Sequence, residues 1–265
     1  LYRIFLILSY MFSRCVVFYF IISYAVYGQG DLDKGIEHYN NRQEGSKKSV
    51  AVIIPINNAI SSFKLALNNP DKEAEAALYL MKSYYFRGKY VHRDIDNKKA
   101  DFNNGKKLGE RYIDQYPNSA QFRFWYLVNL GSWAEEYGII AAAREGVSDL
   151  MRKHSKEIIS LDPGYENGGG YFMLGVVHYK SPYIPFILSW PDNDKAISYI
   201  SKSISIGEPI PNQKVYLAQA LYKDGRKVEA IKLLEEVANM QPSIDDRVRD
   251  WEQIGIAKQL LADFQ

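Results

Sequence analysis

Beyond residue 30 the chain alternates apolar stripes with short polar breaks, and the stripes step by three and four residues. Ile56, Ala59, Ile60, Phe63 and Leu67 form one such stripe, and Ala77, Leu80, Met81 and Tyr84 form another. This spacing places each set on one side of an α-helix, predicting helices over 53–67 and 74–86. Asp31 can cap a first helix through Ile36 and Tyr39, and the polar run 42–48 reads as a turn. Asn68-Asn69-Pro70-Asp71 ends one helix and caps the next, and Gly88 supplies a turn. A helix over about 97–116 stops at Pro117, and Pro117-Asn118-Ser119 starts another. The run 139–161 reads as a single long helix ended by Asp162-Pro163. Glu166 to Gly170 reads as a loop into a helix starting at Tyr171, and 192–206 as a further helix. Over 247–264, Trp251, Ile254, Ala257 and Leu261 share one face and the charges the other, as a terminal capping helix requires.

The most regular unit runs from Pro211 to Pro242. Leu217 and Ala218 are adjacent and Leu221 follows, Ala230 precedes Leu234 by four, and Pro242 closes the unit. Large-small-x-x-large, then Ala-x-x-x-large, then Pro is the tetratricopeptide pattern. Small Ala218 and Ala230 let two antiparallel helices approach, and Leu217, Leu221, Leu234 and Val237 fill the space between them. Gly225 turns the chain, and Pro242 stops the second helix. Lys214 stands where the pattern usually has Trp. One such pair cannot bury its own apolar face, so its neighbours should repeat it. The fold class is therefore all-α: tetratricopeptide-like helix-turn-helix repeats in an α-α superhelix (solenoid) with a C-terminal capping helix, as one repeat domain over 29–265.

Between Lys180 and Asp192 the repeat is interrupted. Ala230 follows Ala218 by 12 positions, but Ala196 follows Gly175 by 21, an excess of about nine. The extra segment carries Pro182, Pro185 and Pro191 with Tyr183, Phe186 and Trp190, which argues for an ordered loop bordering a cavity or a subunit interface. Upstream, Trp125, Asn129 and Trp133 lie four apart and share a helix face. An Asn between two Trp residues suits a ligand or partner site, and it equally suits a buried Asn bonded to a neighbouring helix. The Gly168-Gly169-Gly170 run could cradle an anion or let two backbones approach closely. Trp125, Asn129, Trp133, Tyr171, Tyr183, Phe186 and Trp190 are the candidate ligand- or partner-binding residues. His154, among Arg152, Lys153 and Lys156, reads as a surface histidine, and His178 as a packed one. The segment 92–98 resembles a calcium loop but has Lys98 at a ligand position, and Gly105-Lys106-Lys107 lacks the rest of a phosphate loop. No nucleophile–base set, metal cluster or cofactor loop emerges, so a catalytic role, a metal and a cofactor are not expected.

Composition changes this picture in three places. The 21 Tyr are many for a plain bundle; they fit half-buried spacers between helices or an aromatic-lined groove. A formal net charge of +2 gives no electrostatic case for nucleic acid. The only cysteine, Cys15, excludes a disulfide framework. It lies in the apolar run 15–26 that follows Met11 and Arg14 and ends in small residues near Val26 and Gly28. That arrangement reads as an export signal over 1–28, with an uncleaved anchor over 4–27 as the rival. Phe12-Ser13-Arg14 is the wrong box for lipidation of Cys15.

Several runs together resemble a known family. They are Phe124-Trp125-Tyr126-x-x-Asn129-Leu130-Gly131-x-Trp133, Leu161-Asp162-Pro163-x-Tyr165-x-x-Gly168-Gly169-x-Tyr171-x-x-Leu174-Gly175, Lys180-Ser181-Pro182, Trp190-Pro191 and Asp194-Lys195-Ala196. They are similar to the T component of TRAP-type transporters, over roughly 76–261. That resemblance implies a periplasmic, non-catalytic helical repeat protein, a homotrimer around a pore with a cavity in each subunit. It implies as partners the transporter's solute-binding protein and a small apolar or organic-acid ligand. The missing lipidation box departs from the family. A eukaryotic microtubule-associated group shares part of the pattern, but the export signal argues against it. The other function class is a general scaffold docking peptides or proteins in a concave surface; an unrecognised hydrolase is a third.

Overall fold

The computed structural model describes residues 30–264; the expected export segment lies outside them. The described chain is helical, with only isolated bridges (Lys47 with Val50, Ile184 with Leu188) outside helices. In chain order the helices are α1 (Asp31–Asn40), α2 (Ile53–Ala66), α3 (Glu73–Tyr90), α4 (Ile95–Gln115), α5 (Ala120–Tyr137) and α6 (Ile139–Arg144). They continue as α7 (Val147–Leu161), α8 (Tyr165–Lys180), α9 (Asn193–Ile204), α10 (Pro211–Lys223), α11 (Lys227–Ala238) and α12 (Arg247–Asp263). Asp94, Ser119 and Asp192 accept backbone N–H groups at the starts of α4, α5 and α9, and Pro211 opens α10.

Successive helices pair as α1 with α2, α3 with α4, α5 with α7, α8 with α9 and α10 with α11, and α12 packs on the last pair. The first helices of consecutive pairs also touch one another: α1 with α3, α3 with α5, α5 with α8, α8 with α10, α10 with α12. Each second helix meets its own first helix and the first helix of the next pair, and the second helices do not pack on one another. The first helices therefore form the inner layer of a curved array, and α2, α4, α7, α9 and α11 form the outer one. This is the superhelical repeat fold expected from the Pro211–Pro242 unit, in which Ala218, Ala230 and Leu234 are fully buried and Gly225 turns at φ 84°.

The array curls until its ends meet. Gln43, just after α1, accepts the Val248 N–H at 2.8 Å and donates to the Asp245 carbonyl, while Arg247 donates back to the Gln43 carbonyl. Val248 is fully buried in the N-terminal apolar cluster with Phe63, Leu80 and Tyr90. Lys89 at the end of α3 pairs with Glu252 of α12 at 3.1 Å.

Three details differ from the sequence reading. Gly88 makes no turn: α3 runs to Tyr90, and Gly88 is glycine because a Cβ there would lie 2.8 Å from the Phe102 ring of α4. Residues 139–161 are two helices, not one, since Gly138 (φ 87°) and Gly146 (φ 64°) are left-handed. The segment read as a loop over 166–170 is non-helical only at Glu166, Asn167 and Gly168; Gly169 and Gly170 already lie in the helical part of α8. A Cβ at Gly169 would lie 2.4 Å from the Phe124 ring, and one at Gly170 would lie 2.9 Å from Ile158, so close approach is the packing role of both.

Candidate binding lumen

After the inner helices have packed against their partners, one stripe of each is left facing inward. It carries Tyr79, Lys82 and Lys89 on α3, Trp125 and Glu135 on α5, and Tyr216 and Gln219 on α10. Contacts between helices distant in sequence show that these stripes converge, and they fall into two tiers.

The upper tier joins α1, α3, α5, the start of α8 and the start of α12. The Lys82 ammonium lies 5.2 Å from the Tyr79 ring centre and 5.3 Å from that of Trp125. Trp125 in turn meets Tyr85 at 6.1 Å and Phe124 at 5.6 Å, and Phe124 meets Tyr165 at 5.5 Å. Arg42 stacks on Tyr39 at 4.3 Å and pairs with Asp246 at 3.5 Å, and Arg249 pairs with Asp246 at 3.0 Å. Burial pushes the Tyr39 phenol up to about 12; Arg42 opposes this, and Asp246 and Glu166 add to it. The exposed Glu166 has its carboxyl raised above the ordinary range, by neighbouring protein bulk first, with Lys82 pulling it down and Asp246 pushing it up. Burial lowers the Lys82 ammonium, partly offset by Glu166.

The lower tier joins the far ends of α3, α5 and α8 with α10 and α12. Lys180 pairs with Glu135 and lies 5.5 Å from the Tyr216 ring, and Lys223 lies 5.5 Å from Tyr179. Tyr179 meets Tyr216 edge-on at 6.4 Å. Burial works to lower the Lys89 ammonium, but Glu252, Tyr85 and Glu135 outweigh it and hold the group above its ordinary value. A cleft of about 440 Å³ between α3 and α5, lined by Glu75, Leu78, Gln121 and Phe122, shares Tyr79 and Lys82 with the upper tier.

One local feature aims Glu166. Glu166 (φ 49°), Asn167 (φ 55°) and Gly168 (φ 75°) are left-handed in succession, an unfavourable backbone for the first two. The segment is pinned by its own hydrogen bonds: the Asn167 carbonyl accepts from Gln213 Nε2 at 2.9 Å and Ser203 Oγ at 3.2 Å.

The sequence candidates scatter around this lumen. Trp125 lines it. Asn129 does not: it is fully buried, donating Nδ2–H to the Met81 carbonyl at 3.2 Å and the Trp125 carbonyl at 2.9 Å, the cross-helix role left open above. Trp133 is also buried, stacked on Tyr137 at 4.4 Å under the Lys106 ammonium. Tyr171 is half-buried on α8. Trp190 bridges α7 and α8: it donates to Asp149 at 2.9 Å, lies under Arg152 and meets His178 at 5.0 Å. Tyr183 and Phe186 belong to a tight loop closed by Ile184 and Leu188; Phe186, at φ 65°, is wholly exposed, so it lines no cavity of the single chain. His154 is not on the surface. It is buried between Arg123 (3.0 Å) and Glu157 (3.1 Å), joining α5 to α7.

Sequence reasoning missed Tyr39, Tyr79, Lys82, Tyr165, Glu166 and Tyr216. The recoverable signal was the abundance of Tyr on first helices, at positions left over from the apolar stripe. Among the described residues no group of three or more His, Cys, Asp or Glu is placed to hold a metal, and no helix is long and apolar enough to cross a membrane.

No protein-family model and no curated protein matches the sequence. Among solved structures, the chain is similar to TTC0263, a thermophilic TPR protein of Thermus thermophilus. The TM-score is 0.57 at 16% identity, covering 87% of this chain and 97% of that one. It is also similar to MamA, with a TM-score of 0.44 at 17% identity over 79% of this chain and 92% of that one. The first of these likenesses agrees with the helix pairing above: the chain has the fold of a tetratricopeptide-like helical repeat solenoid.

Proposed function

We propose that this chain is a non-catalytic binding scaffold that holds an extended segment of a partner protein along its inner face. The carrying observation is the run of tyrosines interleaved with Lys and Glu on successive inner helices, exemplified by Tyr179 and Tyr216 beside the Lys180–Glu135 pair. Tyr offers a large rigid area plus a hydroxyl, so such a surface contacts apolar side chains and backbone polar groups together. Selection of displayed random peptides on the purified protein, with a photo-crosslinking residue at position 216, tests this. Enriched peptides should cross-link at that inner position and lose about tenfold or more in affinity when Tyr216→Ala and Lys180→Met are combined. Peptides that cross-link only to reporters on α4, α9 or α11, or that ignore the double substitution, would overturn the reading.

A second reading is favoured by the end-to-end contacts, which bring the first and last helices of the array together. It is the one implied by the family resemblance: an exported periplasmic accessory of a TRAP-type transporter, a homotrimer that binds a solute-binding partner and a small apolar ligand. The exposed Phe186 and Ile187 then supply a subunit contact. Native mass spectrometry of residues 30–264, alone and with a solute-binding protein of such a transporter, separates the readings. A trimer forming a complex with that protein supports this second account, and a monomer indifferent to it removes the account.

A further inference from the structure

The exposed apolar side chains gather at one rim of the array, where each first helix turns into its second. Direct contacts tie these turns together. The Ala51 N–H donates to the Tyr90 carbonyl at 3.0 Å, Lys98 pairs with Glu136 at 3.1 Å, Lys180 pairs with Glu135, and Ser181 bonds Ser148 at 2.8 Å. Along this rim Ile54, Ile139, Ile140, Tyr183, Phe186 and Ile187 are all exposed. The stretches that carry them, 49–56, 137–143 and 181–191, contain no Asp, Glu, Lys or Arg. The opposite rim differs in both respects. At or beside each of its turns stands at most one exposed large apolar residue, and Asp71, Asp162, Glu208, Asp245 and Asp246 face a single Lys72 there. Exposed apolar surface gathered in this way marks a contact with a partner or a membrane.

The turn after α8 is built to hold its tip outward. Ile184 and Leu188 exchange backbone hydrogen bonds at 2.9 and 2.8 Å, and Trp190 anchors the foot of the loop to Asp149. Phe186 sits at the tip with φ 65°, an unfavourable backbone for a bulky residue, and the strain buries none of its ring. What covers this rim follows from its shape and charge. The tips come from separate turns, so a surface that meets them together is broad and adaptable. The tips are uncharged and Ile and Phe offer no hydrogen bonds, so that surface is apolar, while Tyr183 suits a boundary between apolar and wet. We propose that this rim rests on a lipid bilayer, with Phe186, Ile187, Ile139 and Ile140 in the acyl boundary, Tyr183 at the headgroups and the acidic rim turned to solvent. Among the described residues no helix is long and apolar enough to cross a membrane, so this contact lies on the bilayer surface. It lies outside the lumen and does not depend on what the inner face binds.

Flotation of residues 30–264 with phosphatidylcholine vesicles tests the rim. This part omits the upstream apolar run, and its own side chains fill the three apolar clusters of the fold. The protein should float with the vesicles and stay bound in high salt, because uncharged tips are not screened. Combining Phe186→Ser with Ile187→Ser should weaken binding about tenfold or more, the scale of withdrawing two large apolar side chains. Both residues are exposed, so the variant keeps its fold. A polarity-sensitive dye reports which rim faces the lipid, and the only cysteine, Cys15, lies outside this part. Dye attached at Phe186→Cys or Ile140→Cys should shift to the blue with vesicles, and dye at Ile244→Cys, exposed on the opposite rim, should not. The proposal is overturned if the protein does not float, if high salt releases it, if the double substitution changes binding less than about threefold, or if the dye at Ile244→Cys shifts as far as that at Phe186→Cys. A double substitution that breaks an oligomer in solution, with no binding to vesicles by the parent, would make the tip a subunit contact and remove the bilayer.

Discussion

Closure of the array rests on Gln43, and the cost of removing it follows from where its partners lie. In Gln43→Ala the Val248 N–H loses its acceptor at 2.8 Å. That N–H sits on a fully buried residue, so water does not replace the amide cheaply, and the loss is about 1–3 kcal/mol. The Asp245 carbonyl loses a donor too, but it lies at an exposed residue and rehydrates, adding about 0.5–1 kcal/mol. The expected total is about 1.5–4 kcal/mol. The nearby ion pairs contribute less: Lys89 and Glu252 are 32% and 21% exposed, and pairs of that kind give about 0–1 kcal/mol. Glu252→Gln should therefore cost under about 1 kcal/mol. Urea unfolding of both variants, read at constant m-value, gives the two numbers. Hydrogen exchange at the Val248 amide reports whether the ends part before the rest unfolds. Stability within about 0.5 kcal/mol of the parent together with an equally protected Val248 amide would refute the account.

Other expectations follow from packing and charge. Gly175→Ala places a Cβ 2.5 Å from Ile200 Cγ1 and 3.0 Å from the Ile200 backbone N, so α8 and α9 must separate; thermal unfolding should show a loss of about 2 kcal/mol or more. His178 is held down at about 4 by burial and by Lys195, against an ordinary 6.5. A lowered histidine leaves stability intact above pH 6.5, and the loss accrues as pH falls from 6.5 toward 4. Denaturation at stepped pH should show up to about 3 kcal/mol lost over that window, and His178→Gln should flatten the slope. Phe186→Ser, at a wholly exposed tip, should leave stability within about 0.5 kcal/mol by the same urea assay.

The helix pairs were legible because their determinants are local. Leu217, Ala218, Leu221, Ala230 and Leu234 announce two antiparallel helices through spacing alone, and all five are buried where that spacing puts them. The breaks were less legible because glycine has two uses that look alike in a sequence. Gly146 is left-handed and ends a helix, whereas Gly88 sits mid-helix and makes room for Phe102. The lumen was not legible, since which leftover side chains meet depends on how far the superhelix curls. That curl is fixed by contacts more than 200 residues apart in sequence, such as Gln43 with Val248.

The stripe Trp125, Asn129, Trp133 shows how a sound local rule points to the wrong place. Residues four apart are helix neighbours, but each step turns about 400°, so the direction drifts by about 40° per step and about 80° over the three. On a helix with partners on several sides, that drift carries a stripe from one environment to another. Trp125 lies at the lumen edge beside Lys82. Asn129 has rotated into the interface with α3 and α4, where a Cβ on Gly105 would lie 2.1 Å from its Oδ1. Trp133 has rotated further, under Lys106 of α4. The three residues therefore do three jobs, lining, bridging and packing. Only the first lies beside Lys82 at the lumen edge; the drift turns the other two into the interfaces with α3 and α4.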